Sequence, residues 1–137
     1  MWKYFALLSA LFAALTAILA KMGLKGINSN LATAIRCVVI VIVAWGIVGF
    51  SGELRDIKNL TRNNLLFLVL SGLATGLSWI FYFKALSAGP VSKVAPIDKL
   101  SVALTICLSV LLFKEPLDWK VALGGLFIIA GTLILVL

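Results

Sequence analysis

The sequence predicts an all-α integral membrane protein, a bundle of five transmembrane helices, on three observations. First, 63% of its 137 residues are hydrophobic, only 12% are charged, and the mean hydropathy is +1.18. A soluble domain keeps about 45–50% apolar and about 25% charged residues because it has to cover itself with polar surface. Second, the apolar residues come in five runs, each near the ~17–25 residues that a spanning helix needs. Third, the turn-forming residues fall between those runs, and no connector could hold an extramembrane domain. The length makes one domain, residues 1–137, so any function has to reside among the helices.

The first span runs from about Tyr4 to Ala20, behind the lone cation Lys3. It has the short basic start of a signal peptide, but no clear A-x-A site precedes Lys21 and four more spans follow, so it is read as retained. "GLKGINSN" supplies glycines and asparagines, with Asn30 the expected N-cap of a second span, Leu31 to Phe50. "SGELRDIKNLTRNN" is the longest polar stretch and is expected in the membrane interface. The third span, Leu65 to Leu86, ends at "SAGP". Pro90 there suits the first turn of the fourth span, Val91 to Phe113. In "KEPLDWK", Pro116 is expected to stop the fourth span and Asp118 to cap the fifth, Trp119 to Leu137.

Small residues recur at helical spacing: Ala6, Ala10 and Ala14, and also Ser9, Ala13 and Ala17, in the first span, and Gly72 and Gly76 in the third. The fifth carries Gly124, Gly125 and Gly131. Lipid supplies little hydrophobic drive between helices, so close approach at small residues provides the association. Gly72, Gly76, Gly124 and Gly131 are therefore expected at helix packing or dimer contacts, inside one subunit or between two.

Several functions are excluded. The net charge of +7 comes from Lys and Arg scattered singly between apolar runs, the usual juxtamembrane pattern, which gives no nucleic-acid patch. Cys37 and Cys107 both lie in apolar segments and read as small hydrophobes, not a disulfide framework. There is no histidine, which removes imidazole metal ligands and His-based triads. No nucleophile–base pair, metal cluster or phosphate loop is visible, so neither an enzyme nor a cofactor is expected. The expected partners are the lipid bilayer and a small-molecule substrate.

The informative charges are those inside the spans. "VAPIDKLSVALTICLSVLLF" places Asp98 and Lys99 at the head of an uncharged run. If the fourth helix starts near Pro90, Asp98 lies roughly 12 Å in. If it starts at Pro96, Asp98 sits in a first turn, where the helix dipole favours an anion by about 0.3–1 kcal/mol, and Lys99 snorkels to the same surface. In the deeper placement Asp98 is the only carboxylate within the membrane, with Lys99, Lys84, Lys93 or Arg36 as partner. An unpaired charge there is costly, so an ion pair is expected. Four cations against one anion favour anionic or zwitterionic solutes. Gly72, Gly76, Trp79 and Phe83 fall on one face of the third span, where Trp79 either lines a pocket or simply packs.

Two groups of segments resemble EamA-type members of the drug/metabolite transporter superfamily. "ALLSALFAALTAILAKMGLKGI" with "ATAIRCVVIVIVAW" is similar to the first two helices of an EamA repeat. "FYFKALSAGPVSKVAPIDKLSVALTICLSVLLFKEPLDWKVALGGLFIIAGTLIL" is similar to its last part. The Lys84-Ala85-Leu86 helix end, the Gly89-Pro90 corner, the Glu115 loop and the Gly124/Gly131 helix carry the likeness. The resemblance implies a five-helix unit that ordinary members carry twice in one chain, the second copy upside down. It implies a secondary transporter of small metabolites, working by alternating access around a midplane site. The first four helices would surround the path, with Arg36, Trp79, Lys84, Asp98 and Lys99 as path or gate. The fifth helix would join units. Related four-helix exporters of cationic drugs use a carboxylate in their first helix; here that helix has none, so their mechanism is not carried over. A carrier of lipid-linked phosphate and a non-transporting scaffold are the alternatives.

The fused form of the family implies that a single repeat needs an inverted partner, so an antiparallel homodimer with dual topology is expected in a prokaryotic inner membrane, with a fixed N-terminus-inside orientation and a parallel dimer as the alternative. Lys3, Arg55, Lys58, Arg62, Lys114 and Lys120 lie on the side of the N-terminus; Lys21, Lys25, Lys84 and Lys93 lie on the other, with Arg36 and Lys99 leaning to it. Orientation follows the excess of Lys and Arg in short loops, and this excess is slight.

Overall fold

The computed structural model describes all residues, 1–137, as six α-helices and one 3-10 helix, with no strands. The helices are α1 (Trp2–Gly23), α2 (Ser29–Ser51), α3 (Arg62–Ala88), α4 (Val91–Asp98), α5 (Leu100–Phe113) and α6 (Trp119–Val136), and the 3-10 helix is Glu53–Asn59. Five stretches are long and apolar enough to cross a membrane: α1, α2, α3, the α4–α5 pair over Val91–Phe113, and α6. The fold class is therefore an all-α membrane protein of five spans, the fourth of them broken at Lys99.

Local chemistry explains where the helices end. The N-cap of α2 is Asn28, not Asn30: its side chain accepts the Asn30 N–H at 2.9 Å from an extended backbone, so the helix starts two residues before Leu31. Gly52, at φ 76°, ends α2 in the left-handed conformation that glycine adopts without strain. Thr61 Oγ1 accepts the Asn64 N–H at 3.2 Å at the start of α3. Pro90 precedes α4 as its N-cap rather than lying in its first turn. α5 stops at Lys114, which itself takes the left-handed conformation at φ 52°, two residues before Pro116. Asp118 is the N-cap of α6 by backbone position, with no side-chain bond to the helix.

The chain forms two compact units. One, Leu19–Ser87, holds the end of α1, α2 and nearly all of α3, and buries Ala20, Leu24, Thr33, Phe83 and Leu86. The other, Met1–Ile18 with Ala88–Leu137, buries Ala17, Gly125 and Thr132. Large apolar side chains are exposed along every spanning helix, including Phe5, Val43, Leu68, Leu111 and Phe127. Exposed in water, such surface costs about 25 cal/mol per Å²; against acyl chains it costs nothing.

A Cβ added at Gly72, Gly76, Gly124 or Gly131 would meet nothing within 4 Å. Close approach falls instead on Gly125, where an added Cβ would sit 3.2 Å from Ile106 Cδ1. That is where α6 packs on α5.

Candidate functional site

The first charged group sits at the break between α4 and α5. Pro96, inside α4, has no N–H to give the Ser92 carbonyl, and its ring crowds the preceding turn. The helix tightens there: the Lys99 N–H bonds to the Pro96 carbonyl and the Val102 N–H to the Lys99 carbonyl, both three residues back at 3.0 Å. Thr132 of α6, itself buried, shares its one hydroxyl hydrogen between its own Ile128 carbonyl, at 2.8 Å from Oγ1, and the Pro96 carbonyl, at 3.2 Å. A neighbouring hydroxyl thus serves a carbonyl at the kink, as membrane interiors require. Lys93 Nζ also reaches the Val136 carbonyl, at 3.4 Å.

Asp98 is the last residue of α4, roughly 10 Å along the axis from Val91. Lys99 Nζ lies 3.2 Å from its Oδ2 in an ion pair. The cation that pairs with Asp98 is therefore its neighbour. The first-turn reading needs correcting in detail: the helix that Asp98 precedes is α5, starting at Leu100, not one starting at Pro96.

The second group lies within the Leu19–Ser87 unit. The guanidinium carbon of Arg36, on α2, stands 4.3 Å from the ring centre of Phe83 and 5.3 Å from that of Trp79, both on α3. Cation–π contact of this kind is worth about 0.5–2 kcal/mol, more as water is excluded. Phe83 is only 1% exposed, with Tyr82 edge-on to it at 6.0 Å. Arg36 Nη1 is buried and has no hydrogen-bond partner. Near the end of α3, Lys21 of α1 donates to the Leu86 carbonyl.

Of the expected path residues, Arg36 and Trp79 are brought together, and Asp98 and Lys99 are brought together. Lys84 stands exposed on α3, with no ion pair. Sequence reasoning did not find the Lys21–Leu86 contact, because a backbone acceptor leaves no trace in side-chain identity. No group of three or more His, Cys, Asp or Glu could hold a metal ion. A cavity of about 420 Å³ opens between α5 and α6, lined by apolar side chains that include Ala103, Ile106, Val110 and Leu126.

Residues 1–137 match the EamA-like transporter family. The chain belongs to that family. A Sinorhizobium relative, described as an uncharacterized transporter in the cobO 3' region, is 48% identical over 134 residues, covering 98% of this chain and 95% of its own length. No solved structure matches. The EamA-like chain is thus a five-span membrane protein of a transporter family, with a relative of nearly equal length that is also described as a transporter.

Proposed function

We propose that this EamA-like chain is one transmembrane domain that acts as a secondary transporter of small anionic or zwitterionic metabolites, by alternating access in an antiparallel homodimer. The observation that carries the reading is the broken fourth span. Transporters build substrate and ion sites from discontinuous helices, whose freed backbone groups and half-helix ends face the cargo. Here the break has a carboxylate and a cation of its own in Asp98 and Lys99. Asp98 takes the role of proton-carrying gate residue and Lys99 that of its partner. Arg36 and Trp79 line the path, and Lys84 lies at its mouth. Gly72, Gly76, Gly124 and Gly131, uncovered within one copy, suit contacts with a second. A bacterial relative supports a prokaryotic inner membrane as the location. The apolar cavity between α5 and α6 favours one second reading, a carrier of lipid-linked phosphate whose acyl chain would lie there.

Uptake into proteoliposomes tests the proposal. An imposed pH gradient is expected to drive accumulation of radiolabelled carboxylate or phosphate metabolites above protein-free vesicles, and Asp98→Asn is expected to abolish the pH dependence while leaving expression intact. Vesicles that take up nothing would leave a scaffold. For the dimer, a cysteine placed in the 52–64 loop of a Cys37→Ala, Cys107→Ala background is expected to label from both sides of the membrane in cells. Labelling from the cytoplasmic side alone refutes dual topology.

A further inference from the structure

Arg36 carries a buried donor, Nη1, that meets no hydrogen-bond acceptor. It lies roughly 10 Å along α2 from Ser29. A guanidinium stays protonated in any protein setting, so this position cannot discharge itself by titrating. The Trp79 and Phe83 rings take up the flat face of the charge but cannot accept its in-plane N–H bonds, and Nη1 is left buried without an acceptor. Neither α1, α2 nor α3 contains an aspartate or glutamate. Along the chain the next acid after Arg36 is Glu53, past the far end of α2 and roughly 25 Å along its axis. The Lys21 ammonium is a further cation of the same unit. Leaving a buried charged donor unpaired costs more than the mean value of a hydrogen bond. Glutamine could fill the position without a charge, and an ammonium is harder to desolvate, so what distinguishes arginine is a charged, planar set of N–H donors. That geometry matches carboxylates and phosphates.

The two rings differ. Phe83 is fixed and buried, whereas Trp79 is half-buried and keeps part of its surface free. We infer that Arg36, through Nη1, binds the oxyanion of a cargo, a carboxylate or a phosphate, whose flat apolar or aromatic body lies against Trp79. This names the substrate class of the transport reading and rests on it. A soluble metabolite and a lipid phosphate headgroup offer the same oxyanion.

The test uses the full chain in phosphatidylcholine nanodiscs, with Trp2→Phe, Trp45→Phe and Trp119→Phe so that Trp79 alone emits. Titration with 2-naphthoate is expected to give a saturable change in Trp79 emission, and the neutral 2-naphthamide to bind about tenfold or more weakly. Arg36→Gln is expected to lose about tenfold or more in naphthoate affinity, and Arg36→Lys to keep part of it. Dihexanoyl phosphatidate, set against dihexanoylglycerol, separates the sources: Arg36-dependent displacement of naphthoate by the phosphatidate identifies a lipid phosphate, and naphthoate binding alone identifies a soluble carboxylate. Equal binding by wild type and Arg36→Gln, or no response from Trp79 to either anion, overturns the inference. Arg36-dependent binding without proteoliposome uptake removes transport and leaves the anion site. Uptake and binding both unchanged in Arg36→Gln remove the anion site and leave transport.

Discussion

The two units settle a charge within the membrane in opposite ways. At the α4–α5 break, Asp98 has its counter-ion on the next residue, and a hydroxyl from α6 serves the kink's carbonyl. In the Leu19–Ser87 unit, Arg36 has two rings and an Nη1 with no acceptor. The first arrangement is complete in its own side chains. The second leaves a buried donor without an acceptor. A self-neutralised break can open and close without a ligand, whereas a charge held against rings has a stake in what enters.

The sharpest way to break this comparison is to remove the ring that holds Arg36. Phe83 is 1% exposed, and deleting a fully buried phenylalanine side chain costs about 3–5 kcal/mol. Phe83→Ala is therefore expected to lower the thermal midpoint of the detergent-solubilised protein more than Trp79→Ala, Thr132→Val or Asp98→Asn. Trp79→Ala, at a half-buried position, is expected to cost clearly less while affecting ligand binding more. Equal destabilisation by the two ring deletions would mean that both rings are scaffold and that no open face exists.

A smaller effect is expected at the break. Thr132→Val removes the bond from Oγ1 to the Pro96 carbonyl; polar contacts between helices in membranes average about 0.6 kcal/mol and reach about 1.7. The comparison within the protein is Thr33→Val, since Thr33 Oγ1 bonds only to the Ser29 carbonyl of its own helix at 2.9 Å. Hydrogen exchange around residues 96–102 should quicken in the Thr132 variant and stay unchanged in the Thr33 variant. No change in either would show that the kink needs no support from α6.

How much of this was legible in the sequence depends on which forces leave a mark there. Length and hydropathy locate the five spans, because a helix that crosses lipid has to satisfy its backbone internally over a fixed thickness. The face bearing Gly72, Gly76, Trp79 and Phe83 follows from helical spacing. Which helix meets that face does not, since nearly every side of these helices is apolar and lipid accepts them all. Hence Arg36 could be named a path residue without its ring neighbours being known. Asp98 had two possible depths because Pro90 and Pro96 can both begin a helix, and only the backbone shows that α4 starts before Pro96 and ends after it. Spacing likewise marks Gly72 and Gly76 as a contact face without naming the partner, inside one subunit or between two, and an added Cβ at either meets nothing within 4 Å.

The smallest expected effect concerns the Asp98–Lys99 pair itself. The side chains are 35% and 55% exposed respectively, so the protein does not enclose the pair. Exposed pairs are worth about 0.2–1 kcal/mol in double-mutant cycles, while breaking a fully buried pair costs about 3–5 kcal/mol. The cycle through Asp98→Asn, Lys99→Gln and the double variant is therefore expected to return a coupling below about 1 kcal/mol in thermal unfolding. Neighbouring residues share one backbone segment, so any strain that they relieve together enters the same number, and the helix content of each variant has to be shown unchanged by circular dichroism. A weak coupling makes the pair a latch that ordinary fluctuations can open, as a gate requires. A coupling near the buried value would make the break a fixed structural joint, and the contrast with Arg36 would then be between two buried charges of which only one is paired.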